Sequence, residues 1–313
     1  MHNSKKSTIF AAAFREVEKM KNIAFIINPI SGTQNKRKLP KTIEQLLDRE
    51  QWLANIVFTE RAGHATELAR QYARMGFDAV VAVGGDGTVN EVASGLRDTE
   101  TALGIIPMGS GNGFARHIGI PMRTQRAIEM LNHSEVIKAD YGLAEDHVFV
   151  TTCGTGFDAL IADRFAQAGT RGFQTYIKKV IQDALTYKSE TYRIMEGEKL
   201  LFEHKAFLLT FANANQWGND AFIAPKASIQ DGKMDICMMS SNALLAAPSL
   251  ALRLFTKSID KSLFMESLRA KDVILYREQT SPFHIDGDPV DMPQNVHIRI
   301  VEDGLRVLVE KRF

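Results

Sequence analysis

Two glycine-rich segments of the chain have the residue types that can hold a phosphate group. They are GGDGT at residues 84–88 and GSGN at residues 109–112. Glycine lets backbone amides approach a ligand because it has no Cβ, and the amides at a helix N-terminus attract phosphate. Asp86 stands inside the first segment, where a carboxylate would repel phosphate unless it binds a metal or acts as a base. Asp86 is therefore a candidate for the chemistry; the alternative is a tight strand-to-helix turn that Asp86 caps.

Each segment directly follows an apolar run that predicts a β-strand. Strands are predicted at residues 23–28, 55–59, 78–83 and 103–107, and helices at residues 41–51, 66–75 and 89–96. Continuously apolar strands that alternate with single helices are typical of parallel β-α-β units. Ligands of such sheets bind beyond the carboxyl ends of the strands. Both glycine-rich segments lie at that edge, so together they could line one crevice for a polyphosphate.

The pattern changes after about residue 134, where strands follow one another. They are predicted at residues 136–141, 147–153, 191–195, 199–211, 234–239, 273–276, 283–285, 296–301 and 305–309, with helical stretches at 159–187 and 242–268. Such clustering predicts an antiparallel β-sandwich with inserted helices. The predicted fold class is a Rossmann-like α/β domain with a parallel sheet, residues 21–134, followed by a C-terminal β-sandwich domain, residues 135–313. The last segment is a candidate to return and pack on the first domain.

Composition agrees with two domains and excludes several classes of protein. At roughly 150 residues per domain, 313 residues predict two domains. Lys and Arg number 38 against 37 Asp and Glu, and this net charge of +1 does not support a nucleic-acid binder. Two cysteines argue against a disulfide scaffold and favour a cytoplasmic protein. Residues 1–20 are expected to be a non-essential extension rather than an export signal.

The first predicted strand ends in a third motif with local positive charge. The sequence runs Asn28-Pro29-Ile30-Ser31-Gly32 and continues to Lys36, Arg37 and Lys38. This basic cluster supplies attraction for an anion that the near-zero net charge conceals. Standing alone, it would equally fit a solvated loop.

Taken together, these motifs resemble one family in order and spacing. NPxSG at residues 28–32, GGDGT, GSGN, GTGFDA at residues 154–159, APKA at residues 224–227 and DGD at residues 286–288 are similar to the catalytic domain shared by diacylglycerol kinases, sphingosine kinases and soluble bacterial lipid kinases. The resemblance covers nearly everything from Met20 to the C-terminus. GGDGT alone also occurs in NAD kinases, whereas the other elements favour the lipid kinases. The fold implied is that of the NAD kinase and diacylglycerol kinase type.

The resemblance implies where ATP and Mg²⁺ would be held. In that family ATP binds in the cleft between the two domains. The implied nucleotide contacts are Asn28, Ser31, Thr59, Gly84, Gly85, Gly87, Thr88, Glu91, Gly109, Ser110 and Asn112. The family's proton acceptor maps to Asp288, and Asp86 is the second catalytic carboxylate, as a ligand of metal-bound water or as a base. Phosphoryl transfer depends mainly on positioning and on charge neutralisation by Mg²⁺, which these groups could provide.

The chain departs from the family pattern at two positions. Family members usually carry Glu where this chain has Asp288, so the carboxylate is one methylene shorter. Many diacylglycerol-type members have Asp where this chain has Gly113; sphingosine-kinase-like members lack that Asp too. These departures keep open an alternative, a catalytically impaired regulatory protein that binds a nucleotide.

A second metal site is implied by Asp231-Gly232. Soluble bacterial members hold a structural Mg²⁺ at this loop, and carboxylate with carbonyl oxygens suits such a cation. By position, Ser228 and Lys233 would supply the carbonyls. A β-turn with Asp231 at its corner is an equal alternative.

Three minor positions have simpler interpretations. His64 is expected to cap or support a helix start, and Cys153 and Cys237 to be small core residues.

One segment could bring the protein to a membrane. Residues 243–255 are apolar, and Lys257 and Lys261 follow, which is the composition of a helix on a membrane surface. A core helix has the same pattern, and the helix with Lys178-Lys179 is a second candidate. The partners expected are a lipid substrate at the inner face of the membrane, with peripheral contact, and no nucleic acid. A homodimer stays open.

The function implied by the resemblance is that of an ATP-dependent lipid kinase. It would transfer the γ-phosphoryl group to a hydroxyl of a lipid alcohol, with diacylglycerol as first substrate and a sphingoid base or ceramide next. The alternatives are an NAD kinase-like enzyme for a soluble substrate and the impaired regulatory protein.

Overall fold

The computed structural model describes residues 20–32, 36–160, 162, 183–184 and 186–311. The predicted N-terminal extension up to residue 19, the Lys178-Lys179 segment and most of the predicted helix 159–187 lie outside the described residues.

The N-terminal half contains a parallel sheet of four strands. They are β1 (Lys21–Ile27), β2 (Trp52–Phe58), β3 (Ala79–Gly84) and β4 (Ala102–Pro107), in the order β4-β3-β1-β2. Every residue of β3 and β4 is buried. Burial on both faces is why these strands are continuously apolar in sequence, and the predicted parallel α/β domain is confirmed.

Five helices accompany this sheet. They are α1 (Leu39–Leu46), α2 (His64–Arg74), α3 (Asp86–Leu96), α4 (Gly113–His117) and α5 (Thr124–Leu131). Helix α3 begins within GGDGT, three residues earlier than predicted. Helix α1 ends at Leu46 rather than at residue 51, because Leu47 adopts an extended conformation.

The C-terminal half is built from antiparallel strands. They are β5 (Ser134–Ala144), β6 (His147–Phe149), β7 (Thr152–Gly156), β8 (Glu190–Glu196), β9 (Lys199–Ala212), β10 (Met234–Ser240), β11 (Met265–Ala270), β12 (Asp272–Arg277), β13 (Phe283–Ile285), β14 (Asp288–Val290) and β15 (Asn295–Glu310). Tyr192, Phe211 and Phe283 are fully buried in their common core. The predicted β-sandwich is confirmed.

Four predicted elements in this half are wrong in detail. The helix predicted at 242–268 ends at Phe255: α6 (Ala247–Phe255) is followed by Lys257 at φ +54° and then by strand β11. Hydrogen bonding of β11 to β10 outweighs the local helical pattern. The strand predicted at 147–153 is split into β6 and β7. The two strands predicted at 296–309 are one bulged strand, β15.

Strand β15 links the two halves of the molecule. It pairs antiparallel with β5 and β12, and Val307 pairs parallel with Leu103 of β4. The hydrogen-bonded path therefore runs without a break from β14 to β2. Among the described residues, no helix is long and apolar enough to cross a membrane.

Helices α2 and α3 pack very closely at Gly95. A methyl group on Gly95 would lie 2.6 Å from the Thr66 carbonyl oxygen and 2.7 Å from Cβ of Ala69. We expect Gly95→Ala to lower the free energy of unfolding by about 1–2 kcal/mol, because overpacking outweighs the gain in helix propensity. Urea denaturation measures this change.

Ser94→Ala is the matched control for this substitution. Ser94 lies in the same helix, and its hydroxyl makes only a 3.5 Å contact with Asn90 Oδ1, so stability should be unchanged or slightly raised. A Gly95→Ala protein as stable as the wild type would contradict the close packing of α2 and α3.

Candidate active site

The predicted motifs meet at the carboxyl ends of the four parallel strands. Asn28 follows β1, Thr59 follows β2, GGDGT ends β3, and GSGN follows β4. The side-chain amide of Asn28 donates to Thr88 Oγ1 at 3.1 Å, and the backbone amide of Met108 donates to the Gly84 carbonyl at 2.7 Å. The structure thus brings the residues predicted from three separate motifs to one edge of the sheet.

Glycine is required where these loops touch. A Cβ on Gly109 would lie 2.6 Å from Cα of Gly85, so the two glycine-rich loops pack backbone against backbone. Gly32 has φ +62°, and a Cβ there would lie 2.0 Å from the Met108 carbonyl oxygen. No other residue type fits at either contact without moving the backbone.

Asp86 joins the two glycine-rich loops. Its Oδ2 accepts the Asn112 amide at 2.8 Å and its Oδ1 accepts the Gly113 amide at 2.7 Å. Burial raises the pKa of Asp86 to about 6, although these two amide bonds oppose the rise and the charge of Asp286 adds to it. Asp86 therefore holds the second loop against the first.

The start of helix α3 leaves amides available for a ligand. The first amides of a helix lack acceptors within it, and the N-cap residue here is Gly85, which has no side chain to accept them. The backbone amides of Asn112 and Gly113, in the second loop, donate to Asp86, and the Gly109 amide donates to Asn112 Oδ1 at 3.0 Å. The amides at the start of α3 are therefore the ones positioned to form an anion site.

A side chain at Gly113 would be crowded in this structure. A Cβ there would meet Thr151 Cγ2 at 3.1 Å and the Gln216 carbonyl oxygen at 3.3 Å. Because its amide donates to Asp86 and its space is filled, Gly113 contributes backbone rather than a carboxylate.

Asp286 fastens the C-terminal half to helix α3. Its Oδ2 accepts the Asn90 amide group at 2.8 Å and the backbone amide of Val150 at 3.0 Å. Its Oδ1 accepts the amides of Thr151 and Thr152 at 2.8 and 3.0 Å, and the Thr151 hydroxyl at 2.6 Å. Five donors thus converge on one carboxylate.

Asp288 is delivered to the first loop by the hairpin that Asp286 begins. Asp286 and Gly287 form the two-residue turn between β13 and β14, with φ values of +49° and +88°, as an Asp-Gly turn requires. A methyl group on Gly87 would lie 3.0 Å from Asp288 Oδ2. Loss of hydration raises the pKa of Asp288, and the charges of Asp286 and Glu91 raise it further.

A buried Asp-His pair supports the same hairpin and was missed from the sequence. His284 Nε2 lies 3.3 Å from Asp158 Oδ2, which also accepts the Thr210 hydroxyl at 2.7 Å. The other ring nitrogen of His284 lies 3.3 Å from the Gly287 amide, so it accepts that proton. The only sequence signal was the proximity of His284 to the DGD motif.

Glu91 is directed away from the glycine-rich loops. Its two carboxylate oxygens accept the amides of Gly63 and Ala65 at 2.9 and 3.0 Å, at the start of helix α2. His64 does not cap through its side chain: its Nδ1 accepts the Glu60 amide at 3.1 Å. The position of Glu91 is that of a helix cap.

The remaining predicted nucleotide contacts differ in their exposure. Ser31 donates to the Asn28 carbonyl at 3.1 Å and accepts from the buried Lys36 ammonium at 2.8 Å. Burial lowers the pKa of Lys36. Ser110 is exposed at the tip of the second loop, and the buried Asn112 side chain closes that loop on Gly109.

A cavity of about 440 Å³ lies beside the second loop. One of its lining residues is Met108, which directly precedes Gly109. Its lining combines basic, hydroxyl and apolar side chains: Lys38, Leu39, Thr42, Met108, Met122, Arg123, Thr124 and Gln125.

The Asp231 loop has the geometry of a turn. Asp231 pairs with the Arg269 guanidinium, and its Oδ1 accepts the Lys233 amide at 3.2 Å; Ser228 accepts the Gln230 amide at 3.3 Å. A cation would have to displace Arg269, so this loop does not fit a structural Mg²⁺ as it stands. Within the described residues, no group of three acidic, histidine or cysteine side chains is placed to hold a metal.

The two cysteines are core residues. Cys153 and Cys237 are buried, and burial raises the pKa of both thiols, that of Cys237 to about 12.

Two protein families match consecutive parts of this chain. The diacylglycerol kinase catalytic domain matches residues 22–144, and the YegS C-terminal NAD kinase beta sandwich-like domain matches residues 151–309. The first contains both glycine-rich loops, and the second contains the DGD hairpin.

Curated relatives cover most of the chain. A protein of Chromohalobacter salexigens named "Probable lipid kinase YegS-like" is 29% identical over 239 residues, which are 74% of this chain and 76% of the relative. A Yersinia pestis protein of the same name is 26% identical over 285 residues, 88% of this chain and 92% of the relative.

Solved structures share the fold. A crystal structure of a diacylglycerol kinase from Bacillus anthracis has a TM-score of 0.69 at 21% identity, with 92% of this chain and 97% of that chain covered. A yeast NADH kinase has a TM-score of 0.51 at 10% identity, with 94% of this chain and 84% of that chain covered. The chain is therefore a kinase and belongs to the family of YegS-like lipid kinases with a diacylglycerol kinase catalytic domain.

Proposed function

We propose that this kinase uses ATP to phosphorylate a hydroxyl group of a lipid alcohol, with diacylglycerol as first substrate and a sphingoid base or ceramide next. One observation carries the proposal. The Asp288 carboxylate, from the C-terminal half, lies beside Gly87 at the amide-rich start of α3, and none of the described residues donates a hydrogen bond to it. A base and a phosphate cradle thus face one another across the cleft.

The residues support a direct transfer. Amides at the start of α3, within the first glycine-rich loop, would hold the phosphates, and Lys36 and Lys38 supply cations in the segment after β1. Asp288 would accept the proton of the lipid hydroxyl as the hydroxyl oxygen attacks the γ-phosphorus. The bond from the γ-phosphorus to the bridging oxygen breaks, and ADP leaves with that oxygen. Asp86 positions the second loop by its two amide bonds.

The donor set also suits Mg²⁺ bound to the ATP phosphates, because carboxylate oxygens are hard ligands. Asp86 and Asp288 are the residues that would stand near it, and the ion would neutralise charge that develops on the transferred phosphoryl group.

A largely buried apolar cluster, which we propose borders the lipid chain, lies near the same hairpin. The rings of Phe157 and Phe207 have centroids 4.5 Å apart, and Tyr187 packs edge-on to both. Phe157 adjoins Asp158, the partner of His284, so this cluster is placed to contact an acyl chain whose hydroxyl reaches Asp288.

The two departures from the family pattern are compatible with activity. The backbone of Gly113 occupies a packed position and serves Asp86, so a carboxylate is not needed there. Asp288 comes close to Gly87 despite its shorter side chain. Both observations favour an active kinase over the impaired regulatory alternative.

Replacement of Asp288 tests the proposed base. We expect Asp288→Asn to lower kcat by at least about 100-fold, the lower end of the contribution of a general base, while nucleotide affinity changes by less than about twofold. Asp288→Glu should retain activity. The assay uses labelled ATP with a total lipid extract, followed by identification of the labelled product.

Asp291→Asn is the control, since Asp291 is an exposed carboxylate three residues away. Full activity of Asp288→Asn would refute the role of this residue. Phosphorylation of NAD in the absence of lipid, with no labelled lipid product, would favour the soluble-substrate alternative.

The raised pKa of Asp86 predicts a pH dependence of stability. The pKa of unfolded Asp is about 3.9, so between about pH 4 and 6 the folded protein binds more protons than the unfolded chain. The free energy of unfolding contributed by Asp86 therefore decreases as pH rises through this window, by about 3 kcal/mol. In Asp86→Asn this decrease should be absent.

Urea denaturation of both proteins from pH 4.5 to 7.5 measures the difference. Asp146→Asn is the control, because Asp146 lies exposed in the turn between β5 and β6. Parallel pH profiles for the wild type and Asp86→Asn would contradict this prediction, because they would show that burial does not raise the pKa of Asp86.

A further inference from the structure

Exposed apolar side chains concentrate in one segment of the C-terminal half. Ten large apolar side chains are exposed among the described residues, and three of them lie within residues 252–263. Leu252 is 65% exposed, Phe255 60% and Leu263 101%. Leu263 in particular projects fully into solvent, and grouped rather than scattered exposed apolar side chains are what marks an interaction site.

This exposure is not the result of a loosely packed helix. Leu250 and Ile259, from the same segment, are buried in an apolar cluster with Phe207 and Met239. One side of α6 and of the loop after it is thus anchored in the C-terminal half. Leu252, Phe255 and Leu263 are exposed to solvent on a helix and loop that this packing fixes in place.

Positive charge surrounds these three side chains. Lys257 and Lys261 are exposed between Phe255 and Leu263. The acid of the segment, Asp260, is paired with Lys226 at 2.8 Å. Apolar side chains flanked by uncompensated lysines are complementary to a bilayer that carries anionic head groups, where each lysine adds attraction and each apolar side chain enters the interface.

The segment is also connected to the active site. The Leu254 carbonyl accepts the Phe222 amide at 2.9 Å, and the Lys257 ammonium lies 4.5 Å from the centre of the Phe222 ring. From Phe222 the chain runs back to Asn219, whose amide donates to the Gly111 carbonyl of the second glycine-rich loop at 3.1 Å. A short loop, residues 217–222, therefore spans the distance from the exposed side chains to the nucleotide loop.

We propose that Leu252, Phe255 and Leu263, with Lys257 and Lys261, form a docking surface for a membrane that contains anionic phospholipids. The inference deepens the proposed function and rests on it for its purpose: the surface would hold the cleft against the bilayer in which the lipid alcohol resides. A protein partner fits less well, because three separate apolar side chains between lysines make a much smaller patch than the roughly 800 Å² per partner of a stable interface.

Vesicle sedimentation tests the surface without requiring catalysis. The wild type should bind vesicles of phosphatidylcholine with about one third phosphatidylglycerol, and bind pure phosphatidylcholine at least about tenfold more weakly. The triple variant Leu252→Ser, Phe255→Ser, Leu263→Ser should lose at least about tenfold in affinity for the anionic vesicles. Lys257→Gln with Lys261→Gln should reduce the preference for anionic vesicles.

The matched control is Leu53→Ser, Val136→Ser, Leu200→Ser, which removes three exposed apolar side chains on other surfaces, 56%, 50% and 49% exposed. It should bind vesicles as the wild type does. Wild-type affinity in the 252/255/263 variant, or an equal loss in the control, would overturn the docking surface. A wild type that dimerises through these residues in sedimentation velocity and ignores vesicles would overturn it as well.

An activity comparison separates this inference from the proposed function. The 252/255/263 variant should phosphorylate a monomeric short-chain diacylglycerol as fast as the wild type and be at least about tenfold slower on the same lipid alcohol in anionic vesicles. Loss of vesicle binding without any lipid phosphorylation by the wild type would reject the proposed function but keep the surface. Equal rates of both proteins on vesicles would reject the surface but keep the function.

Discussion

The carboxylate of Asp286 is the interaction on which the site depends. It accepts five hydrogen bonds, one of them from Asn90 on helix α3 and four from residues 150–152 of the C-terminal half. Removing an acceptor that satisfies several partly buried donors costs far more than one exposed hydrogen bond. Because Asp286 also begins the tight β13–β14 turn, the same contact sets the position of Asp288 two residues later.

This arrangement has an electrostatic cost that falls on the catalytic candidates. The negative charge of Asp286 contributes to the raised pKa of both Asp86 and Asp288. Burial is the larger cause in each case. Clustered carboxylates with raised pKa values weaken a fold but are frequent in active sites, where a proton must be accepted near neutral pH. Hydrogen bonding offsets this electrostatic cost, because Asp86 and Asp286 each join two parts of the chain.

Sequence patterns are sufficient to place one wall of the cleft. Asn28, Asp86 and the GSGN loop follow buried strands, and the carboxyl ends of parallel strands meet at one edge by geometry. The opposite wall depends on contacts that no local pattern contains. Asn90 and Asp286 are 196 residues apart, and the pairing of β11 with β10 overrides a helical pattern. Asp288 is predicted from the family resemblance, whereas the contact between His284 and Asp158 beside it can be identified only from the folded structure.

The same division explains why the net charge is uninformative about the ligand. In the proposed function, phosphate would be bound by oriented amides of the N-terminal half, which carry no formal charge, whereas the acid that would take the proton comes from the C-terminal half. Neither half contains a complete site. Strand β15 pairs with β12 over residues 295–299 and with β4 at Val307, so one continuous strand sets the angle between the two walls. The distance from Asp288 to the amides of α3 is thus determined by the strand pairing and by Asp286 together.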